Sequence, residues 1–198
     1  MRQPERPRPS HYVALAGEFA VLSELALRRL DGTFTLGQSK GVDVVVLSER
    51  TGRTFKVEVK TTEGGIRGNR WFGAHYSWLM DERHGRVHAE DLIYAFVLFE
   101  GGPESATKPR VFLVPSTEVA TYVVWNQRYW ERKTGRAPET VTSTMRQFRL
   151  PAPGPSGAIP AAWRDGRWAR WEGNWGIFDR APERTPRVKT RRRAARSG

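Results

Sequence analysis

The sequence predicts an α/β domain, a mixed central sheet flanked by helices, followed by a basic disordered tail. Three observations carry this reading. Tyr12 to Leu30 places apolar side chains at helical spacing, and Gly41 to Thr62 holds two β-branched runs around a polar turn. Leu92 to Phe99, between Asp91 and Glu100, is a short unbroken apolar run, and a second helical pattern follows it. The length, 198 residues, allows one domain with a real core, which we place at 11–179, between a disordered segment, 1–10, and the tail, 180–198.

Met1 to Ser10 sets Pro4, Pro7 and Pro9 among charges and has no apolar face to pack. The first helix begins near Tyr12, with Leu15, Val21, Leu22, Leu25 and Arg29 on or beside one face, and Asp31-Gly32 ends it. Its two glutamates differ in position. Glu24 lies four residues before Arg28 on the polar side and reads as an exposed ion pair. Glu18 has Val21, Leu22 and Leu25 on its own stripe, where an unpaired carboxylate is destabilising. It either meets a metal, a water network or a base, or it snorkels out at the stripe's edge. Thr33 to Leu36 reads as a first strand.

The hairpin comes next, with strands at Val42 to Leu47 and Thr54 to Lys60. Side chains alternate, so Phe55, Val57 and Val59 point one way while Lys56, Glu58 and Lys60 point the other. With the turn near Arg50 and Thr51, Asp43 falls opposite Glu58 or Val59, where cross-strand neighbours lie roughly 5 Å apart. Two adjacent carboxylates repel each other and raise one another's pKa unless a cation compensates. Mg²⁺, with Mn²⁺ as substitute, suits such a pair, because it takes one or two carboxylates together with waters and substrate phosphate. Lys60 stands roughly 6–7 Å along the strand from Glu58, placed to hold or deprotonate a water for attack on phosphorus. Taken alone, the same three residues also describe a solvated sheet face.

Gly17-Glu18 on the helix, Gly41-Val42-Asp43 opening one strand and Glu58-Val59-Lys60 on the next resemble the PD-(D/E)XK nuclease superfamily. The spacing is most similar to its Holliday junction resolvase-like branch and to related small bacterial endonuclease-like proteins. The likeness covers Gly17 to Thr62 and extends loosely to Gly135, with Val42 standing where the superfamily signature has proline. It implies a restriction-endonuclease-like core and a metal-dependent endodeoxyribonuclease that hydrolyses DNA phosphodiester bonds with an activated water. Carried over, the catalytic set is Glu18, Asp43, Glu58 and Lys60, and the Mg²⁺ ligands are Asp43, Glu58, Glu18 and the backbone carbonyl of Val59. A homodimer is implied if the branch is a resolvase. Two other functions stay open: a non-catalytic nucleic-acid-binding module on the same fold, and a defence or toxin-type nuclease that needs a partner.

Charge supports a polyanionic partner. The formal net charge is +12, of which Arg180 to Gly198 contributes +7, and basic chains gain affinity for phosphates through counterion release. Candidate phosphate contacts are Arg67 and Arg70, in the glycine-rich stretch Glu63 to Arg70 read as a loop, and Lys189, Arg191, Arg192 and Arg193 of the tail. The chain has no cysteine, which fits a reducing compartment. The apolar run Leu92 to Phe99 is far short of the roughly 20 residues that span a bilayer, and the start lacks a signal peptide's apolar segment. A cytoplasmic protein without membrane attachment is expected.

His84 and His88 have the i,i+4 spacing of a helical metal pair, which Gly85 between them weakens. Asp91 to Glu100 reads as a central strand buried on both faces, and Arg110 to Val114 as its returning neighbour. Pro115 and Ser116 open a helix to about Lys133 whose stripe of Val119, Tyr122, Val123 and Trp130 packs on the sheet, with Gly135 beyond its end. Met145 to Leu150 reads as a late strand before the Pro/Gly segment Pro151 to Pro160. Trp163, Trp168, Trp171 and Trp175 then interleave with Arg164, Arg167 and Arg170, a pattern that either stacks unpaired bases or closes the core. Four exposed tryptophans would promote association, which favours the core.

Overall fold

A computed structural model of the chain describes residues 10–35, 41–101, 107–136, 142–157 and 167–180. The readings made above for residues 1–9, Trp163, Arg164, Lys189, Arg191, Arg192 and Arg193 fall outside them. In chain order the elements are α1 (Ser10–Leu27), β1 (Asp31–Phe34), β2 (Val44–Ser48), β3 (Arg53–Glu63), β4 (Arg67–Asn69) and β5 (Gly73–Asp81). A 3-10 helix at Glu82–Arg86, β6 (Leu92–Phe99), β7 (Arg110–Pro115), α2 (Ser116–Thr134), β8 (Met145–Ser156) and 3-10 turns at Arg167–Trp171 and Trp175–Asp179 complete them.

The expected mixed sheet is present, with five strands in the order β1-β2-β3-β6-β7. Only β3 and β6 run parallel within it. The β2–β3 hairpin turns where the sequence places it: Ser48 pairs with Arg53, and the Gly52 N–H donates to the Ser48 carbonyl at 2.8 Å. Gly52 takes φ 66°, a left-handed conformation that glycine enters without a Cβ penalty. β6 is buried from Leu92 to Leu98 because its alternate side chains serve two cores. Ile93, Ala95 and Val97 face Val57 and Val59 of β3, Val21 and Leu25 of α1, and Ile177 and Phe178. Tyr94, Phe96 and Leu98 face the opposite way, toward Trp78, Phe148, Tyr122 and Val123.

That second core rests on a sheet the sequence reading lacked. β4, β5 and β8 form a three-stranded antiparallel layer, so the glycine-rich stretch read as a loop holds a strand, with Arg67 opposite His75. β8 also runs on through Pro151 to Ser156, part of the segment read as a Pro/Gly connector.

Three boundaries and faces shift in α1. The helix ends at Leu27, and Arg29 adopts φ 59°, so β1 starts at Asp31, ahead of Thr33. Leu15 is exposed, and the buried stripe is Gly17, Val21, Glu24 and Leu25. Glu24 is therefore buried, contrary to its reading as a surface pair; Arg28 and Lys108 both reach it at 2.6 Å. In α2, Val119, Tyr122 and Val123 are buried as expected, while Trp130 is only half-buried.

Trp171 and Trp175 are core residues, on opposite sides of the sheet. Between them Glu172 bridges Phe112 and the Gly173 N–H donates to the Val111 carbonyl at 2.9 Å, so this segment covers part of the β7 edge. Trp168 packs beside Phe112. The structural reading of these three tryptophans holds.

Candidate active site

The site begins with a glycine. A Cβ at Gly17 would lie 1.9 Å from Thr61 Oγ1, so the missing side chain is what lets α1 rest directly on β3. That approach carries the next residue, Glu18, to the start of β2, where it is half-buried beside Asp43. Gly41 acts similarly just before β2. It takes φ 88°, and a Cβ there would lie 3.3 Å from Glu58 Oε2.

Asp43 directly precedes β2. Val44 pairs with Val57, so the register carried back by one places Asp43 opposite Glu58. The Asp43 N–H donates to the Val57 carbonyl at 2.8 Å, and Asp43 Oδ2 accepts the Val59 N–H at 2.7 Å. Backbone groups of one residue in a strand point the same way. The Val59 carbonyl accordingly lies on the β2 side, beyond the last paired residue of β2.

Glu58 and Lys60 share the face of β3 that meets the second sheet, and Glu58 is only 3% exposed. Donors surround its Oε1: Lys60 Nζ at 2.7 Å, His84 Nε2 at 3.0 Å and Arg83 Nη2 at 3.8 Å. His84 arrives from the 3-10 helix after β5. Asp81 caps that helix, accepting the Arg83 N–H at 2.9 Å, and at Gly85 a Cβ would approach Val124 of α2 to 3.1 Å. His84 Nδ1 lies 2.9 Å from the Asp81 nitrogen and 2.8 Å from its carbonyl oxygen. A carboxylate only accepts, so Nε2 must carry a proton toward Glu58. The neutral ring then accepts the Asp81 N–H, and the imidazolium donates to the Asp81 carbonyl. The ring is held in either state.

The carboxylates are poised differently. Burial works against the charged form of Glu58, but the His84 hydrogen bond and the charge and hydrogen bond of Lys60 outweigh it and hold the pKa at about 2. Asp43 sits above its ordinary value, chiefly through burial and with Glu58 adding to it, against the opposing Val59 N–H and Lys60. Glu18 is raised too, by burial and then by Asp43. Burial, and next the charge of Glu58, push the phenol of Tyr94 upward. The cations thus gather on Glu58, and Asp43 and Glu18 are left short of positive charge.

Four sequence candidates, Glu18, Asp43, Glu58 and Lys60, converge, with the Val59 backbone beside them. Arg67 and Arg70 do not join them. Both are exposed, at the other end of β5, whose nine residues span roughly 30 Å. The His84–His88 pair does not form: His84 is 2% exposed and turned to Glu58, while His88 lies on the surface. The sequence reading missed His84 as a partner of Glu58. Its legible signal is the Asp81-x-x-His84 spacing, in which a side chain three residues on reaches back to the cap. Among the described residues no three His, Asp or Glu side chains form a ready cage for a metal ion, and no helix is long and apolar enough to cross a membrane.

No family model matches the sequence, and no curated protein matches it. Among solved structures the chain is similar to a bacterial homing endonuclease, at 13% identity and a TM-score of 0.49 over 87% of this chain and 95% of that one.

Proposed function

We propose that this protein is a Mg²⁺-dependent endodeoxyribonuclease that hydrolyses phosphodiester bonds with water. The reading is carried by one observation: Glu58 and Asp43, from facing arms of the hairpin, stand together with Lys60 Nζ 2.7 Å from Glu58 Oε1. Asp43 and Glu18 are short of countercharge, which is the condition a divalent cation relieves. The residues that would hold it are Asp43, Glu58, Glu18 and the Val59 carbonyl. When bound, such an ion neutralises phosphate charge and acidifies water.

The chain's own groups do the rest. Lys60, a quarter exposed, donates to and orients a water at the solvent side of Glu58 and stabilises the hydroxide character that develops on it. His84 fixes the Glu58 carboxylate from behind, which frees Lys60 to move toward substrate without leaving Glu58 unpaired. Arg83, half-exposed and 3.8 Å from Glu58, supplies charge for the DNA backbone.

The test is cleavage of branched, single-stranded and duplex DNA with Mg²⁺ or Mn²⁺, at fixed salt. Lys60→Ala should lose about 10²–10⁴-fold in rate while DNA affinity largely survives. Equal cleavage by the parent and Lys60→Ala removes Lys60 from the mechanism. A second reading, a DNA-binding module that does not cut, is favoured by the protein donors that already saturate Glu58 Oε1. Calorimetry separates the two, since a binder gives no Mg²⁺ heat that Asp43→Ala removes.

A further inference from the structure

Between the C-terminal half of α2 and the first half of β8 lies a pocket of about 190 Å³, away from Asp43 and Glu58. Its walls include Asn126, Gln127, Trp130, Arg146, Gln147 and Arg149. Two guanidiniums face it, and they are compensated unequally. Arg146 has a carboxylate, Glu82, at 3.3 Å. Arg149 has none among the described residues. Its Nη1 donates to Asn126 Oδ1 at 2.6 Å and its Nη2 to Gln147 Oε1 at 2.5 Å, both neutral. Its guanidinium carbon lies over the Phe72 ring at 4.0 Å, the buried phenol of Tyr122 is a further neutral neighbour, and the Nε has no carboxylate or amide partner among the described residues.

A buried cation without a counterion is destabilising, and Arg149 shows it, since burial pushes its pKa downward. With their oxygens turned to the guanidinium, Asn126 and Gln147 keep their NH₂ groups as further donors. Donors on a fixed planar fork suit a phosphate. Trp130 beside them offers an indole for a planar base. The Arg136 guanidinium lies over that ring, 5.4 Å from its centroid.

We infer that this pocket is a nucleotide site, with the phosphate held by Arg149 and the base placed against Trp130. It stands independently of the cleavage reading, because none of the proposed catalytic residues lines it. Two sources carry this chemistry, a free mononucleotide and the phosphorylated end of a DNA strand.

The experiment is calorimetric titration of the full chain at physiological salt, where weak contacts to exposed basic residues are screened. The ligands are deoxynucleoside 5′-monophosphates, the unphosphorylated deoxynucleosides and inorganic phosphate. A 5′-monophosphate should bind at one site, at least tenfold more tightly than either fragment. Arg149→Gln should weaken it tenfold or more, and Asp43→Ala should leave it unchanged. If Arg149→Gln fails to fold, Gln147→Glu serves instead, because it places a carboxylate on Arg149 with little change of shape and should weaken binding to the same degree. Absence of saturable binding to the parent, binding undiminished by either substitution, or inorganic phosphate binding as tightly as the nucleotide overturns the assignment. Competition then identifies the source. Displacement by a 5′-phosphorylated oligonucleotide, and not by its unphosphorylated form, assigns a strand end; no displacement by either assigns a free nucleotide.

Discussion

Glu58 is a buried carboxylate of one sheet and Arg149 a half-buried guanidinium of the other, and the protein treats the two charges in opposite ways. Glu58 is given two cations, Lys60 and Arg83, and the hydrogen bond of His84 besides. Arg149 is given two amide oxygens, the neutral phenol of Tyr122 and the face of Phe72. The first arrangement stabilises a charged form and freezes its geometry, as a group that must present a fixed carboxylate requires. The second leaves charge uncompensated, as a group that awaits an anion requires. Burial alone therefore does not distinguish a structural charge from a working one; the balance of its partners does.

Acid should break the first arrangement and spare the second. Glu58 has its folded pKa depressed to about 2 from 4.5, so its contribution is complete above pH 4.5 and is lost as pH falls toward 2. That contribution is on the order of 3 kcal/mol. The melting temperatures of the parent and Glu58→Gln should differ most above pH 4.5 and converge near pH 2. A difference that does not change with pH would mean that Glu58 is not held ionised by its neighbours.

Next in size is His84→Ala, which removes a hydrogen bond to a buried carboxylate and should cost about 1.5–3 kcal/mol. In a chain of this length that is about 3–12 °C in melting temperature, read by calorimetry. Asp43→Asn should act in the other direction. Its folded pKa is raised, so ionisation opposes folding at neutral pH; an amide oxygen still accepts the Val59 N–H, and the melting temperature should rise slightly while cleavage is lost. Smallest is Arg149→Met, which exchanges an uncompensated cation for an apolar chain over Phe72 and should change stability by no more than about 1 kcal/mol in either direction. A loss as large as that of His84→Ala would show Arg149 to be a structural residue.

The legible parts of the fold were those whose pattern is local. The β2–β3 hairpin follows from Gly52 and two β-branched runs, β6 from an unbroken apolar octet, and α2 from Ser116 at its start and Gly135 at its end. Register then followed from side-chain alternation to within one residue, Asp43 opposite Glu58 or Val59, and the pairing of Val44 with Val57 selects Glu58. The second sheet was less legible. Tyr76, Trp78 and Met80 do alternate, but they follow the glycine-rich segment Glu63 to Arg70 that reads as loop. Strand pairing between β5 and β8 joins residues about 70 apart, which no local window shows. Glu24 was misplaced because its second partner, Lys108, comes from beyond β6. Gly85 already weakened the His84–His88 pair, and the 3-10 turn points only His84 inward; its contact with Glu58 was missed because it joins residues 26 apart. Arg149 carries no sequence signal, since an arginine in a strand reads as surface.

The segment that crosses Phe112 has one more effect. An open sheet ordinarily invites another chain to add a strand along its border, the route to fibrillar assembly. Here one border is β1, only four residues long, and the other is partly occupied by Glu172 and Gly173. Among the described residues neither border of the five-stranded sheet presents a long free row of amides, so intermolecular strand addition to that sheet has little to build on. For a chain of net charge +12 acting on DNA as proposed, and so concentrated along it, that protection matters.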